Sequence, residues 1–163
     1  MQRHFLKETL ISAPAKNVFD WHLDPEAFNL LVPPWEPVKL VSLSAPISEP
    51  GAIAVLEIKL LGILPLQWVA RHQNFQVPEN PDSPQEEAVF QFQDVQESGP
   101  FAYWQHTHRV IAKPNHACLL QDDISYRLPL GLLGDCFGHW FVRQKIEKLF
   151  HYRHQVVLKS FSG

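Results

Sequence analysis

Two histidines in an H-x-H arrangement, His106 and His108, are the side chains of this sequence best suited to chemistry. They belong to a run of alternating residue types, which predicts a β-strand with both rings on one face. His72 and Asp122 fall on predicted strands that could lie beside this one. A carboxylate next to a histidine in an apolar pocket orients the ring and shifts its pKa. We therefore identify His106, His108 and Asp122 as candidate catalytic residues for acid–base chemistry.

The same cluster permits other interpretations. Three imidazoles and one carboxylate form a ligand set that zinc or iron accepts. The histidines could instead be hydrogen-bonded polar residues in a cavity wall or on the outer face of the sheet. Asp122 could pair with a buried arginine, for which the candidates are Arg71, Arg109 and Arg127. The sequence has no Walker loop, no G-x-G-x-x-G, no G-x-S-x-G and no H-E-x-x-H. We assign no metal and no cofactor from the sequence.

Large rings are abundant, with eleven Phe and five Trp in 163 residues. Rings of this kind either fill a core or line a ligand pocket, and composition does not separate the two uses. Strand alternation and the stripe of the last helix place a set of residues inward, as predicted cavity lining: Trp68, His72, Phe90, Phe92, Trp104, Tyr126, Phe137 and Phe141.

The elements that position these residues follow from the spacing of apolar side chains. Period-two runs predict strands over residues 5–11, 38–43, 54–61, 66–73, 88–95, 102–110 and 118–128. Pro14 and Pro25 each suit the first turn of a short helix after the first strand. Helical spacing from Phe137 to Arg153 predicts one long C-terminal helix of roughly 20 residues.

Successive strands joined by short turns indicate an antiparallel meander, whose apolar face must be covered. The terminal helix is the one large element available for this. The predicted fold class is therefore α+β, of the helix-grip type. A curved antiparallel sheet of six to seven strands surrounds a long C-terminal helix, and two short helices follow the first strand. Residues 1–163 are expected to form a single domain.

Three stretches carry a resemblance to a known family: residues 18–22 with 27–28 and 33–36, residues 99–109, and residues 122–129. With the order of elements, they resemble the SRPBCC/START-like helix-grip superfamily and, within it, its bacterial polyketide cyclase/dehydrase-like ligand-binding branch. The superfamily includes START lipid-transfer domains and the major birch-pollen allergen group. The resemblance implies a deep apolar cavity between sheet and helix, with its entrance near His22 and Trp35. It implies no particular catalytic residue and no metal.

Charge and composition limit the possible partners. The net charge of −3 argues against a nucleic-acid-binding domain. The sequence contains no run of 18 apolar residues and no signal peptide, so a cytoplasmic location is expected. Residues 143–159 are mostly basic, which predicts a solvated face or a weak contact with an anionic membrane surface or an acidic partner.

The favoured function is the binding or transport of an apolar small molecule, such as a lipid, an isoprenoid or a polyketide-like compound. The first alternative is an enzyme of the polyketide cyclase or dehydratase type, which would use His106 or His108 with Asp122. The second alternative is a protein-interaction domain that holds no ligand. Carrier function is favoured over catalysis, and the oligomeric state is left open.

Overall fold

Seven antiparallel strands in one sheet organise the computed structural model, which describes residues 1–36, 38–60, 64–129 and 138–162. The strands are β1 (Arg3–Ile11), β2 (Val38–Leu43), β3 (Ile53–Leu60), β4 (Leu64–Gln76), β5 (Val89–Ser98), β6 (Tyr103–Lys113) and β7 (Ala117–Arg127). The helices are α1 (Ala15–Leu23), α2 (Pro25–Leu31) and α3 (His139–Ser160). The predicted helix-grip class, with two short helices after the first strand and a long C-terminal helix, is confirmed.

The strand order is β1-β7-β6-β5-β4-β3-β2, so β2 to β7 form a meander and β1 closes onto β7. The turn between β6 and β7 shows how local chemistry sets this order. Asn115 and His116 both have positive φ, and the Ala117 amide donates to the Pro114 carbonyl at 3.3 Å. Two left-handed central residues form the turn whose twist matches that of a hairpin.

Alternation along the strands gives the sheet one apolar inner face. In β7 every second residue from Cys118 to Tyr126 is buried. Asp122 is the one charged member of that buried series. In β6 the inner face carries Trp104 and His106, and His108 follows two residues later. The period-two rule therefore brings the chemically interesting residues of both strands to the same side.

Proline and cap chemistry define the short helices, and an apolar stripe defines the long one. Pro25 occupies the first turn of α2, where Asp24 accepts a hydrogen bond from the Glu26 amide at 2.9 Å. The buried stripe of α3 faces the sheet and comprises Ile146, Phe150, His154 and Val157. Helix α3 ends at Ser160, seven residues beyond Arg153, where the predicted helical spacing ended. Phe137, at the predicted start of the helix, lies outside the described residues.

The core has two parts. Phe19 of α1 packs against Phe90 with ring centroids 5.4 Å apart, in a cluster that includes Ile11, Cys118 and Val157. The second cluster joins the inner face of the sheet to α3 through Trp104, Ile124, Tyr126, Ile146 and Phe150. Among the described residues, no helix is long and apolar enough to cross a membrane.

Candidate functional site: a buried histidine–aspartate cluster at the end of an apolar cavity

A cavity of about 810 Å³ lies between the sheet and α3. Its volume falls within the range of small-molecule sites. The walls are mostly apolar. Their apolar residues come from β2 to β6, α2, α3 and two connecting loops: Phe28, Leu31, Val38, Leu40, Leu43, Ile47, Leu56, Ile58, Trp68, Phe92, Phe101, Trp104, Phe141, Ile146, Leu149 and Phe150.

The two ends of the cavity differ in chemistry. The buried end carries polar groups: His22, His72, Asp94, His106, His108 and Arg153. The exposed end is bordered by Trp35, Glu36, Lys59, Lys145 and Lys148. Trp35 is 45% exposed and Phe141 is 42% exposed, whereas His72 and His106 are 6% and 3% exposed. An elongated molecule in this space would therefore meet a polar group inside and cations at the opening.

Asp122 connects three imidazoles from behind the cavity wall. Its Oδ1 lies 2.7 Å from His106 Nε2 and 3.0 Å from His108 Nδ1. Its Oδ2 lies 2.8 Å from His154 Nε2, and His154 Nδ1 lies 2.7 Å from Thr9 Oγ1. Burial by itself would raise the pKa of Asp122, but hydrogen bonds from His106, His108 and His154 hold it well below its usual range. The carboxylate is therefore ionised.

Asp94 of β5 forms the second node of the cluster. Its Oδ2 lies 3.2 Å from His108 Nε2 and 4.0 Å from His106 Nδ1. Its Oδ1 lies 2.5 Å from His72 Nδ1, at ion-pair distance but outside hydrogen-bond alignment. Burial opposes ionisation, yet the neighbouring imidazoles of His108 and His72 hold the pKa of Asp94 far below its ordinary value. A second carboxylate, which is partly buried, is thus charged.

His108 lies between the two carboxylates and stacks on Phe92, with ring centroids 4.3 Å apart. Each of its nitrogens faces a carboxylate oxygen, which is the environment of an imidazolium that donates from both sides. Burial lowers the pKa of His108, but hydrogen bonds to Asp122 and Asp94 outweigh it and raise the pKa to about 9. His108 therefore carries a proton and a positive charge at neutral pH.

His106 behaves differently, although it is two residues away. Burial and the charge of His108 lower the pKa of His106 to about 4. The neutral ring donates Nε2–H to Asp122, which leaves Nδ1 as the nitrogen with a lone pair. The arrangement thus contains one neutral imidazole oriented by a carboxylate beside one charged imidazole.

Two further basic residues complete the buried end. His22 Nδ1 lies 2.7 Å from the Val18 carbonyl, and burial lowers the pKa of His22 to about 4. Arg153 donates Nε–H to the Leu31 carbonyl at 3.3 Å and lies over the Phe150 ring at 5.2 Å. Burial also lowers the pKa of Arg153.

The structure places the predicted residues in three groups. The first lines the cavity: His22, Trp35, Trp68, His72, Phe92, Trp104, His106, His108 and Phe141. Asp122 lies behind His106 and His108, in contact with both. Phe90 and Tyr126 point inward but pack in the two core clusters and are not among the lining residues, because α1 and the Trp104 ring cover them. Arg109, a predicted partner of Asp122, instead pairs with Asp123 at 3.0 Å.

Asp94, His154 and Arg153 belong to the site but were not predicted from the sequence. Asp94 follows Phe90 and Phe92 in the same period-two series, so the signal for its inward position was present. His154 lies four residues after Phe150 on the buried stripe of α3. Their contacts depend on strand register and on the rotation of α3, neither of which a single sequence specifies.

Comparison with known proteins supports the fold. No protein-family model and no curated protein matches this chain. Among solved structures, the aromatase/cyclase Zhui from Streptomyces has a TM-score of 0.69 at 14% identity, over 98% of this chain and 93% of that one. A START superfamily protein from Mycobacterium smegmatis has a TM-score of 0.64 at 12% identity, over 97% and 96%.

Norcoclaurine synthase from Thalictrum flavum, solved in complex with dopamine and hydroxybenzaldehyde, has a TM-score of 0.64 at 13% identity, over 100% of this chain and 90% of that one. Likeness at this level of identity defines the fold and leaves the activity open. The chain therefore has an SRPBCC/START-like helix-grip fold, as the sequence resemblance predicted.

Proposed function

We propose that this protein binds an apolar small molecule in the cavity between sheet and helix. The observation that carries the proposal is the cavity of about 810 Å³, with apolar walls, a buried polar end and a cationic opening. Structural relatives with the same fold are a START superfamily protein and an enzyme solved with two small aromatic compounds. A carrier for a lipid, isoprenoid or polyketide-like molecule fits this combination.

The lining suggests which part of the ligand lies where. The indole N–H of Trp68 is buried and has no hydrogen-bond partner among the described residues, so it is available to a carbonyl or hydroxyl oxygen. Trp68, Phe101 and Trp104 form a cage of tilted and edge-on rings. Such a cage suits a flat, ring-containing guest. At the opening, Lys59, Lys145 and Lys148 outnumber Glu36, which favours an anionic group there.

Native mass spectrometry tests the proposal. The protein would be incubated with a panel of fatty acids, isoprenoids and polycyclic phenols. Its mass under native conditions would then be compared with its mass after denaturation. We expect one guest of a few hundred daltons per chain, lost on denaturation. Retention of no member of the panel by the folded protein would overturn the proposal.

A second function, proton-transfer catalysis of the cyclase or dehydratase type, is favoured by one observation. His106 lines the cavity as a neutral ring that Asp122 orients through Nε2. Such a ring can accept a proton from a carbon next to a ketide carbonyl. The test is deuterium exchange into an aryl ketone bound in D2O. Catalysis predicts exchange above the buffer rate that His106→Gln abolishes while ketone affinity is retained. An equal exchange rate in both proteins would exclude it.

A further inference from the structure

Three side chains at the buried end of the cavity each bring one potential metal-binding atom close to those of the other two. These atoms are Asp94 Oδ2, His108 Nε2 and His106 Nδ1. Oδ2 lies 3.2 Å from the first nitrogen and 4.0 Å from the second, and one ligand atom from each residue lies within 4.8 Å of the others. Binding at His108 requires its Nε2 proton to leave to solvent, as ligand protons do when a metal binds. Two neutral imidazoles and one carboxylate at such separations then form a ligand set for a divalent transition metal.

The opposite side of each of these groups is held by another residue. Asp122 Oδ1 contacts both His106 Nε2 and His108 Nδ1, at 2.7 and 3.0 Å. His72 Nδ1 lies 2.5 Å from Asp94 Oδ1, the oxygen that faces away from the histidine pair. Metal-binding histidines typically direct their second nitrogen to a carboxylate in this way, which fixes the tautomer and the ring orientation.

The supporting layer is itself anchored. His154 Nε2 contacts Asp122 Oδ2 at 2.8 Å, and His154 is 1% exposed. A chain of contacts thus runs from Thr9 through His154 and Asp122 to the two histidines.

We propose that Asp94, His106 and His108 bind one divalent transition-metal ion of the zinc or ferrous-iron class, with its open coordination positions toward the apolar cavity. Bonds of about 2.0–2.1 Å to zinc would bring the ligand atoms to about 3.3 Å from one another. The 4.0 Å separation of Asp94 Oδ2 and His106 Nδ1 would therefore shorten by less than about 1 Å on binding. His72 and Asp122 act as positioning residues, and an oxygen atom of a bound guest or water completes the coordination.

This metal site is independent of the proposed carrier function, but it excludes His106 as a free base, because the metal occupies Nδ1. The first test is titration of the full chain, previously treated with chelator, with Zn²⁺ alone by calorimetry. We expect one ion per chain with micromolar or tighter affinity. Asp94→Asn and His106→Gln should each weaken binding at least tenfold, and Asp122→Asn should weaken it about 10–100-fold.

His4→Gln and Asp123→Asn are the matched controls. His4 Nε2 and Asp123 Oδ1 form a similar histidine–aspartate pair, 2.6 Å apart, that does not belong to the cluster. They should leave Zn²⁺ affinity unchanged. Unaltered Zn²⁺ binding in folded Asp94→Asn, or no binding by the wild type, would overturn the proposal.

A second measurement needs no variant and so does not depend on variant folding. Co²⁺ added to the wild type should give visible d–d absorption typical of nitrogen and oxygen ligands at low coordination number, and Zn²⁺ should remove it. A wild-type protein that gives only the spectrum of hydrated Co²⁺ contradicts the site. Guest binding by the chelated protein, measured alongside, shows whether the carrier function stands on its own.

Discussion

The groups around a side chain determine its protonation state, and the histidine pair of β6 shows this most clearly. His106 and His108 share a strand face and lie with ring centroids 3.7 Å apart, yet burial leaves one neutral while two carboxylates keep the other charged. Asp122 contacts both, as well as His154. A buried charged set of this kind is stable only when it is complete, because removing one member leaves the others unpaired.

Asp122→Asn should therefore lower the free energy of unfolding by about 3–5 kcal/mol, since it removes the charge that three buried imidazoles face. Urea denaturation of the chelated protein measures this. Asp123→Asn is the control, because Asp123 is the next residue and lies on the more exposed face, where it pairs with His4 and Arg109. Asp123→Asn should lower the free energy of unfolding by less than about 1 kcal/mol. Equal losses in the two variants would contradict the account of Asp122.

His22 gives a prediction about pH. Its pKa is about 4 in the folded chain and near the ordinary 6.5 in the unfolded chain, so the unfolded state takes up the proton first as the pH falls. The stability that this group contributes is present above pH 6.5 and is lost between about pH 6.5 and 4. The loss amounts to about 3 kcal/mol.

His22→Phe should remove this share, so that the free energy of unfolding of the variant falls less steeply between these pH values. Unfolding curves recorded across the range for the wild type, for His22→Phe and for the exposed His151→Gln provide the measurement. A slope in His22→Phe as steep as that of the wild type would show that His22 is not responsible.

The arrangement of strands and helices determines which of these site residues could be predicted from the sequence. Period-two alternation within β6 predicted that His106 and His108 share one face, and it put Asp122 on a strand that could lie beside them. It left open whether that shared face was the inner or the outer face of the sheet. Asp94 meets His106 only through the β5–β6 register, in which the two are direct partners. His154 reaches Asp122 because of how α3 is rotated on the sheet. Register and helix rotation depend on packing over the whole sheet, so these two contacts could not be read from local spacing.

The rotation of α3 is testable through two of its rings. Phe150 is 1% exposed and contacts Phe5 and His106, whereas Trp140 is 70% exposed. Phe150→Ala should cost about 3–5 kcal/mol of stability, because it leaves a void between helix and sheet. Trp140→Ala should change stability by no more than about 0.5 kcal/mol. Urea denaturation measures the loss of stability in each variant. Similar losses for the two variants would indicate that α3 turns a different face toward the sheet.

Two lysines of the basic stretch of residues 143–159 contact residues of the same chain. Lys145 pairs with Glu36 at 3.1 Å, and Lys148 lies 4.4 Å from the centre of the Trp35 ring. Both lysines border the cavity opening. Contact of this stretch with an anionic membrane surface or an acidic partner stays a prediction.

Charge at the opening leads to a prediction about ligand preference. Lys148→Gln should weaken binding of anilinonaphthalene sulfonate about two- to fivefold, because it removes one exposed cation near the bound anion. Affinity for phenylnaphthylamine, which lacks the sulfonate, should not change. Fluorescence titration with the two dyes separates charge from shape. An equal loss for both would assign the effect to packing around Trp35 instead.

At the scale of the whole molecule, sheet and helix stay apart over part of their length and enclose the cavity. The sequence predicted the arrangement of sheet and long helix, because both depend on apolar periodicity. Its resemblance to helix-grip proteins predicted a cavity. The volume and the lining depend on side-chain packing, which is why Phe90 and Tyr126 were expected in the lining and lie in the core. The contacts of Asp94 with His106 and His108, and of His154 with Asp122, likewise emerged only from the three-dimensional structure.

The most direct test of the central claim, that this cavity holds an apolar guest, is fluorescence titration of anilinonaphthalene sulfonate against the wild type and two variants of β3. Leu56 lines the cavity, and Val55 lies on the other face of the same strand. We expect saturable binding of one dye per chain. Leu56→Trp should abolish this binding or weaken it at least tenfold, and Val55→Trp should leave it unaffected. Binding that survives Leu56→Trp in the folded protein, or that Val55→Trp weakens equally, would contradict the claim.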